Sequence, residues 1–433
     1  MNDFTPLDVL PVNINILPVK LPPTIELNEE QQAAVAALRH FLDSDEQFFG
    51  LFGYAGTGKT TVIQHVFDDT FLEVAMSAPT HKAVGVLSAM AAERGLHRFS
   101  FATIHSLCSV KKVRKDGEVK FMLQPGFGGY PIRSFDVVVI DECSMIGEEM
   151  WGWIQEAIAP GQKVIVMGDP AQLPPVQETG SPTFKLPHVE LSQVMRSRGV
   201  VQDAATRIRQ NIKAHVAMLA PDGQDEHGEV KNLYQEEWLA EFLAAVTEGT
   251  RVKALAFTNT AVDWLNDWVR EQKFGRDAKA FEVGERLVLI ETHELRGGMV
   301  TLHTESDLEV VEAEPTTYLN IDCWRLKVLC YGVPYTIYTL DAEQYPDWSA
   351  KVREAKVIGK ATKKWQPYYD LIERFARVRP GWATTIHKSQ GSTYDKVFLV
   401  QTNVLPAGKR DPAFRNMLLY VGYSRARKGL YLS

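Results

Sequence analysis

A chain of 433 residues is longer than one hydrophobic core normally serves, so two to four domains are expected. Its 45% hydrophobic and 23% charged residues describe an ordinary soluble globular protein, and no apolar run approaches the ~18 residues of a membrane span. The net charge of −7 does not advertise a nucleic-acid binder, so such a role requires positive charge gathered locally.

The first segment, Met1 to Pro23, carries Asp3 and five prolines and lacks both a basic start and an unbroken apolar stretch. That pattern is not a secretory signal. The spacing predicts a helix over Leu27–Leu42, followed by a regular βα alternation: strand Phe48–Gly53, helix Lys59–Phe67, strand Leu72–Ala78, helix His81–Met90, then strands Asp136–Ile140 and Val164–Met167. Val137-Val-Val-Ile140 is apolar on both faces, as in buried parallel strands, and the alternation predicts a parallel α/β sheet. Between Ser109 and Pro131 the pattern breaks, and Asp116-Gly117 between strand-like runs predicts a β-hairpin. A second alternation starts near Val252–Phe257 and resumes at Lys396–Gln401. Short β-type runs from Glu285 to Leu340 predict a small barrel or sheet, and Asp341–Val378 reads as helical and basic. Cys108, Cys143, Cys323 and Cys330 show neither metal-ligand nor disulfide spacing, which fits the reduced thiols of a cytoplasmic protein.

Gly53-Tyr-Ala-Gly56-Thr57-Gly58-Lys59-Thr60 fits the Walker A pattern between a strand and a helix. Glycines let successive amides point at phosphate oxygens, and the helix N-terminus adds partial positive charge. Gly53, Gly56, Thr57, Gly58, Lys59, Thr60 and Thr61 are the expected ATP contacts, with Lys59 on the β- and γ-phosphates and Thr60 on Mg²⁺. At the end of the buried strand, Asp141 is placed to hold Mg²⁺ and Glu142 to polarise the attacking water. Without the Walker A loop the same two carboxylates would read equally well as caps of the next helix. With it, the chain reads as an NTPase.

Further motifs follow in order. Gly168-Asp-Pro-Ala-Gln172-Leu-Pro-Pro, Leu191-Ser-Gln-Val-Met-Arg196 and Tyr420-Val-Gly-Tyr-Ser-Arg425 resemble helicase motifs III, IV and VI. Ala78-Pro79-Thr80-His81 resembles motif Ia, and Thr384-Thr385-Ile-His387-Lys388-Ser389-Gln390-Gly391 resembles motif V. From about Leu27 to Leu432 the chain is similar to superfamily 1 helicases of the RecD/Dda group, and within it most to the Dda-type phage helicases. That resemblance implies Gln172 as γ-phosphate sensor, Arg196 as a cation at the phosphates, Arg425 as an arginine finger, Gln31 as the adenine reader (Gln32 being a rival), and Gln390 and Gly391 at the nucleotide. Pro79, Thr80, His81, Thr103, His105, Thr258, Asn259, Thr385, His387 and Ser389 lie in loops that would hold a strand by its backbone without reading bases. The threonines among them equally suit helix caps. Phe121 falls where the family's duplex-splitting pin carries an aromatic; on hairpin grounds alone it is a packing residue.

The implied architecture is two RecA-like P-loop domains with parallel sheets, plus a pin hairpin and a small SH3-like β-barrel with a helical extension. The corresponding boundaries are a lead over 1–26, domain 1A over 27–108 and 131–198, and the pin (1B) over 109–130. Domain 2A covers 199–285 and 380–433. Domain 2B covers 286–379, with the barrel to about 340 and a basic extension over 341–379. Local charge fits, since between Lys351 and Arg379 there are nine Lys/Arg and three Asp/Glu, although a solvated helix face explains that equally. The expected activity is ATP- and Mg²⁺-dependent 5′→3′ DNA unwinding by a monomer in the cytoplasm, the host's if phage-encoded. Its partners would be single-stranded DNA, single/double-strand junctions and replication or recombination proteins, with no membrane. The alternatives are an RNA helicase, a translocase that strips proteins from DNA without unwinding it, and a strand-binding module with a vestigial ATP site. Motif V continues as Ser392-Thr393-Tyr394 where many relatives carry an acidic residue, which leaves selectivity for the nucleotide sugar open.

Overall fold

A computed structural model of the chain describes residues 26–93, 99–194, 199–295, 300–409 and 411–433. Helix α1 (Glu29–Asp43) starts at a reciprocal cap, with Gln31 N donating to Asn28 Oδ1 at 2.8 Å and Asn28 N donating to Gln31 Oε1 at 3.1 Å. Strand β1 (Phe48–Gly53) leads into α2 (Lys59–Phe67), β2 (Val74–Ala78) into α3 (His81–Glu93), and β3 (Ser100–Thr103) into the single turn α4 (Ile104–Leu107). The hairpin β4 (Val110–Lys115) and β5 (Glu118–Leu123) comes next, then β6 (Val137–Ile140), α5 (Glu148–Ala157), β7 (Lys163–Gly168) and β8 (His188–Leu191). Apart from the hairpin these strands form one six-stranded parallel sheet, ordered β3-β2-β6-β7-β1-β8. Every residue of β2 and β6 is buried, because Leu38, Val62 and Leu87 cover one face of the sheet and Trp151 and Ile154 the other.

The second lobe begins with α6 (Val200–Gln210), β9 (Gly223–Asp225), β10 (Gly228–Asn232), α7 (Gln235–Thr247), β11 (Val252–Ala256) and α8 (Asn259–Phe274). An insertion follows: β12 (Arg286–Leu289), β13 (His293–Leu295), β14 (Val300–Leu302), β15 (Asp307–Tyr318), β16 (Ile321–Cys330), β17 (Val333–Thr339), α9 (Tyr345–Thr362), α10 (Gln366–Glu373) and β18 (Val378–Pro380). The chain returns through β19 (Ala383–Thr385), β20 (Tyr394–Leu399), α11 (Gln401–Val404), α12 (Pro412–Ser424) and β21 (Ala426–Leu432). The second sheet runs β19-β11-β20-β21-β10-β9 and is parallel except for β9.

In the insertion, β17-β16-β15-β12-β18 form an antiparallel sheet whose hydrogen bonds, among the described residues, run in that one open order. Strands β15 and β16 extend well beyond the short apolar runs visible in the sequence. Their extra length is held by charged cross-strand pairs, Lys327–Glu312 at 2.8 Å and Arg325–Glu314, which an apolar pattern does not register. Among the described residues no helix is long and apolar enough to cross a membrane.

Parallel strands put their C-terminal ends along one edge, and sheet order then sorts the loops by function. The Walker A loop, Asp141–Glu142 and Asp169–Gln172 leave the adjacent central strands β1, β6 and β7. Thr80 and Thr103 leave the outer neighbours β2 and β3, and Thr258 and Thr385 belong to the outer neighbours β11 and β19 of the second sheet.

Candidate nucleotide cleft and nucleic-acid rim

The phosphate loop is built for close backbone approach. Gly56 and Gly58 have φ of +84° and +83°, and a Cβ at Gly58 would lie 2.5 Å from Gln31 Nε2. Thr57 is fully buried, Thr60 half-buried on the first turn of α2, and Thr61 buried behind it. Lys59 Nζ lies at the loop mouth, donating to Gly53 O at 2.8 Å and Tyr54 O at 3.0 Å. Gln31 reaches this loop through its Nε2, which donates to Thr57 O at 2.9 Å, while its Oε1 serves the α1 cap. Gln32 instead caps outward onto Leu27 O at 2.8 Å.

Asp141 and Glu142 follow β6, and Glu142 takes the left-handed conformation at φ +54°, uncommon for a residue with a side chain. Burial holds both carboxyls above their usual range. The Asp141 charge pushes Glu142 further up, while Lys59 and Arg425 pull it back. The set fits Mg²⁺: one hydroxyl (Thr60) and one buried carboxylate (Asp141) are hard oxygen donors, and Mg²⁺ takes few protein ligands beside phosphates and water. When bound, the ion would neutralise charge on the β- and γ-phosphates. Gln172 is buried, and its Oε1 has no protein partner among the described residues.

The second lobe closes on this set. Gly391 has φ +70°, and a Cβ there would stand 3.4 Å from Ala83 and 3.9 Å from Glu142 Oε1. Gln390 is buried, with Nε2 3.5 Å from Leu173 O. Arg425 is buried and donates to Ser392 O and Val421 O, each at 3.2 Å, and to Ser424 Oγ at 2.9 Å. Among the described residues no carboxylate pairs with it, yet it lies near enough to Glu142 to act on that carboxyl. Arg196 lies outside the described residues.

On the rim, each of the four threonines caps a following turn: Thr80 accepts from Ala83 N, Thr103 from Ser106 N, Thr258 from Ala261 N and Thr385 from Lys388 N. Thr103, Thr385 and Ser389 are buried, and Ser389 Oγ donates to Ile386 O at 2.7 Å. The hydroxyls of these three shape the turns that carry the expected strand-holding loops. Pro79, His105 and His387 are half-buried, while His81, Thr258 and Asn259 are exposed. Two contacts cross between lobes here: the His81 and His303 rings stack at 3.3 Å between centroids, and Lys82 Nζ lies 5.8 Å from the Tyr394 ring.

Acidification is expected to weaken the histidine contact. Although His81 is exposed as a whole, desolvation of its ring in the stack, then repulsion from His303 and His105, brings it down to about 4, and burial lowers His303 as well. The unfolded chain, whose imidazoles titrate near 6.5, then binds more protons than the folded one, so stability is lost as pH falls from about 6.5 toward 4. The melting temperature should drop across that window, and His303→Ala should make the drop shallower. Only part of it should disappear, since buried His293 is likewise held at about 4. An unchanged slope in the variant would remove the stack from this account.

The hairpin turn has positive φ at both Asp116 (+52°) and Gly117 (+79°), as two-residue type I′ turns require. Its tip rests on the insertion's helices. Gly117 N donates to Tyr369 Oη at 3.3 Å, a Cβ at Gly117 would lie 2.4 Å from the Trp365 ring, and Arg114 clamps Glu373 with two bonds of 2.6 and 2.7 Å. Phe121 is 55% exposed, with its ring 6.0 Å from His105, which in turn lies 5.5 Å from Trp153. Sequence reading missed Trp365, Tyr369 and Glu373, which look like any residues of an amphipathic helix. It also missed Asp169, Arg209 and Tyr420. Asp169 and Tyr420 stood inside recognised motifs, but Arg209 carried no sequence signal.

Two largely parallel sheets facing one another across a phosphate loop, with an arginine brought by the second, define the class of P-loop motors. Residues 26–233 match the AAA domain and residues 380–433 the UvrD-like helicase C-terminal domain. The ATP-dependent DNA helicase Dda of Enterobacteria phage T4 is 27% identical, over 94% of this chain and 99% of its own. The ATP-dependent DNA helicase Pif1 of Bdellovibrio bacteriovorus is 25% identical, over 94% of this chain and 88% of its own. Among solved structures, a Pif1 helicase described for unwinding at forked double-stranded DNA has the same fold with a TM-score of 0.54 at 18% identity, covering 94% of this chain and 92% of its own. The Bacteroides Pif1 helicase in complex with ADP-AlF3 and single-stranded DNA follows at TM-score 0.51 and 17% identity, with the same coverage. These domain matches and relatives are those of a Dda/RecD-like helicase of superfamily 1B.

Proposed function

We propose that this chain is an ATP-dependent DNA helicase that moves 5′→3′ along single-stranded DNA and parts the duplex at the β4–β5 hairpin. The observation that carries this reading is the meeting of Lys59, Asp141 and Glu142 with Gly391 and Arg425 from the other lobe at one cleft. ATP binding draws the lobes together, Lys59 meets the phosphates, Thr60 and Asp141 would hold Mg²⁺, which would supply further neutralising charge, and Glu142 orients the attacking water. Closure changes the spacing of the rim loops on β2, β3, β11 and β19, so each hydrolysis cycle alternates their grip on the strand. The name of the T4 relative supports DNA as the track, and likeness to superfamily 1B helicases supports the polarity.

The test is unwinding of two short duplexes, one with a 5′ and one with a 3′ single-stranded tail, in ATP and Mg²⁺. Opening of the 5′-tailed duplex alone is expected. Preference for the 3′ tail would overturn the polarity, and ATP hydrolysis without opening of either would leave a translocase.

The hairpin is checked with Phe121→Ala and with Gly117→Val, which forces a β-branched residue into the left-handed region against Trp365 at a local cost of about 1–3 kcal/mol. Both variants should keep strand-stimulated ATP hydrolysis and lose most unwinding. Intact unwinding in both would remove the hairpin from the mechanism.

A further inference from the structure

Near Glu142 the two lobes are also fastened by side chains to which the motifs assign no role. Asp169, in the first-lobe loop after β7, is fully buried. Its Oδ1 accepts from Ala171 N at 2.9 Å and from Arg209 Nη2 at 3.1 Å, and its Oδ2 accepts from Tyr420 Oη at 2.5 Å. Arg209 on α6 and Tyr420 on α12 both belong to the second lobe, where these helices pack together over its sheet.

The same two residues also touch the phosphate loop. Tyr420 Oη accepts from Ala55 N at 3.3 Å, and the Arg209 guanidinium lies 3.6 Å over the Tyr54 ring. Tyr420 is 2% exposed, and burial beside the Asp169 carboxylate raises its phenol well above the usual range, so the hydroxyl keeps the proton that it donates.

The attachment points bear on the chemistry at both ends. Asp169 O accepts from Gln172 N at 3.0 Å, so the turn that presents Gln172 is built on the residue being gripped. Tyr420 precedes Arg425 on α12, whose C-cap is Arg425 itself. A grip on Asp169 therefore fixes the helix end that carries the arginine.

We propose that Asp169, Arg209 and Tyr420 form a latch that seats the second lobe on the phosphate loop, with Arg209 and Tyr420 as positioning residues for Gln172 and Arg425. The catalytic consequence rests on the reading above, that ATP is hydrolysed in this cleft. The interlobe consequence does not.

Tyr420→Phe removes one oxygen and keeps the ring in its seat, while Arg209→Lys keeps the charge and loses the fork that stacks on Tyr54. Two readouts are taken on the full chain. The first is steady-state ATP hydrolysis with saturating single-stranded DNA. The second is energy transfer between dyes at Asp69→Cys and Glu236→Cys, exposed sites on opposite lobes, labelled selectively because all four native cysteines are buried.

The latch predicts that Tyr420→Phe lowers kcat about tenfold, leaves the KM for ATP within about twofold and changes the transfer efficiency. Arg209→Lys should be affected less. Wild-type kcat and wild-type transfer in Tyr420→Phe would overturn it. So would a lowered melting temperature with normal kcat per folded molecule, the mark of static packing. If the wild-type chain hydrolyses no ATP, the functional reading fails by itself. Altered transfer in Tyr420→Phe would then still support the latch, and unaltered transfer would overturn it.

Discussion

Replacing Lys59 by alanine is expected to reduce ATP turnover by about 10³-fold while leaving single-strand binding nearly intact. The ammonium donates to Gly53 O and Tyr54 O and draws down the neighbouring Asp141 and Glu142 carboxyls, so its loss should push those two further toward the neutral form while sparing the fold. On the proposed role, what disappears is a point charge that would face the β- and γ-phosphates and matter most as charge shifts in the transition state. Strand binding is expected to survive because the rim loops leave β2, β3, β11 and β19, whereas Lys59 follows β1. Phosphate release with a saturating oligonucleotide, and anisotropy of the same oligonucleotide when labelled, measure the two separately. Equal loss of both would mean a damaged fold or a wrong assignment, and a melting curve tells these apart.

Arg425 carries the second large effect. Arg425→Ala should lower kcat by about 10³-fold or more, with the KM for ATP changed little, because an arginine finger acts on charge that develops only in the transition state. Its environment is suggestive: the guanidinium is buried, bonded to two carbonyls and a hydroxyl, and without a carboxylate partner among the described residues. A cation held so is available to an incoming anion at small reorganisation cost. Arg425→Lys keeps the charge and loses the planar fork, so it should recover only a small part of the rate. A variant with raised KM and normal kcat would instead make Arg425 a ground-state binding residue.

Much of the frame was legible because its signals are local. The Walker A loop must sit between a strand and a helix, and Val137-Val-Val-Ile140 can only be a strand buried on both faces. Asp116-Gly117 between strand-like runs predicted the hairpin, and its register pairs Lys115 with Glu118 across that turn. The extent of β15 and β16 was not legible, since the outer stretch of that ribbon is stabilised by charge pairs between strands.

The rim threonines show where pattern reading stops. Sequence named Thr103, Thr385 and Ser389 as strand contacts; the fold adds that all three are buried and shape the turns, and their contact with a strand stays a proposal. A threonine at a loop–helix junction looks the same whether its hydroxyl caps the helix or meets a ligand, and only burial distinguishes the two. Arg209 is the converse case. On the sequence it is one more basic residue of an amphipathic helix; in the fold it lies 3.6 Å over Tyr54 and bonds a buried aspartate from the other lobe. The motifs by themselves marked the candidate chemistry, a phosphate-loop pattern with Asp141, Glu142 and Arg425, because backbone turns and charge of this kind are written in contiguous residues. The tertiary structure alone decided which side chains join the lobes, because those contacts link residues up to 365 positions apart and depend on how two separately folded sheets come to face each other.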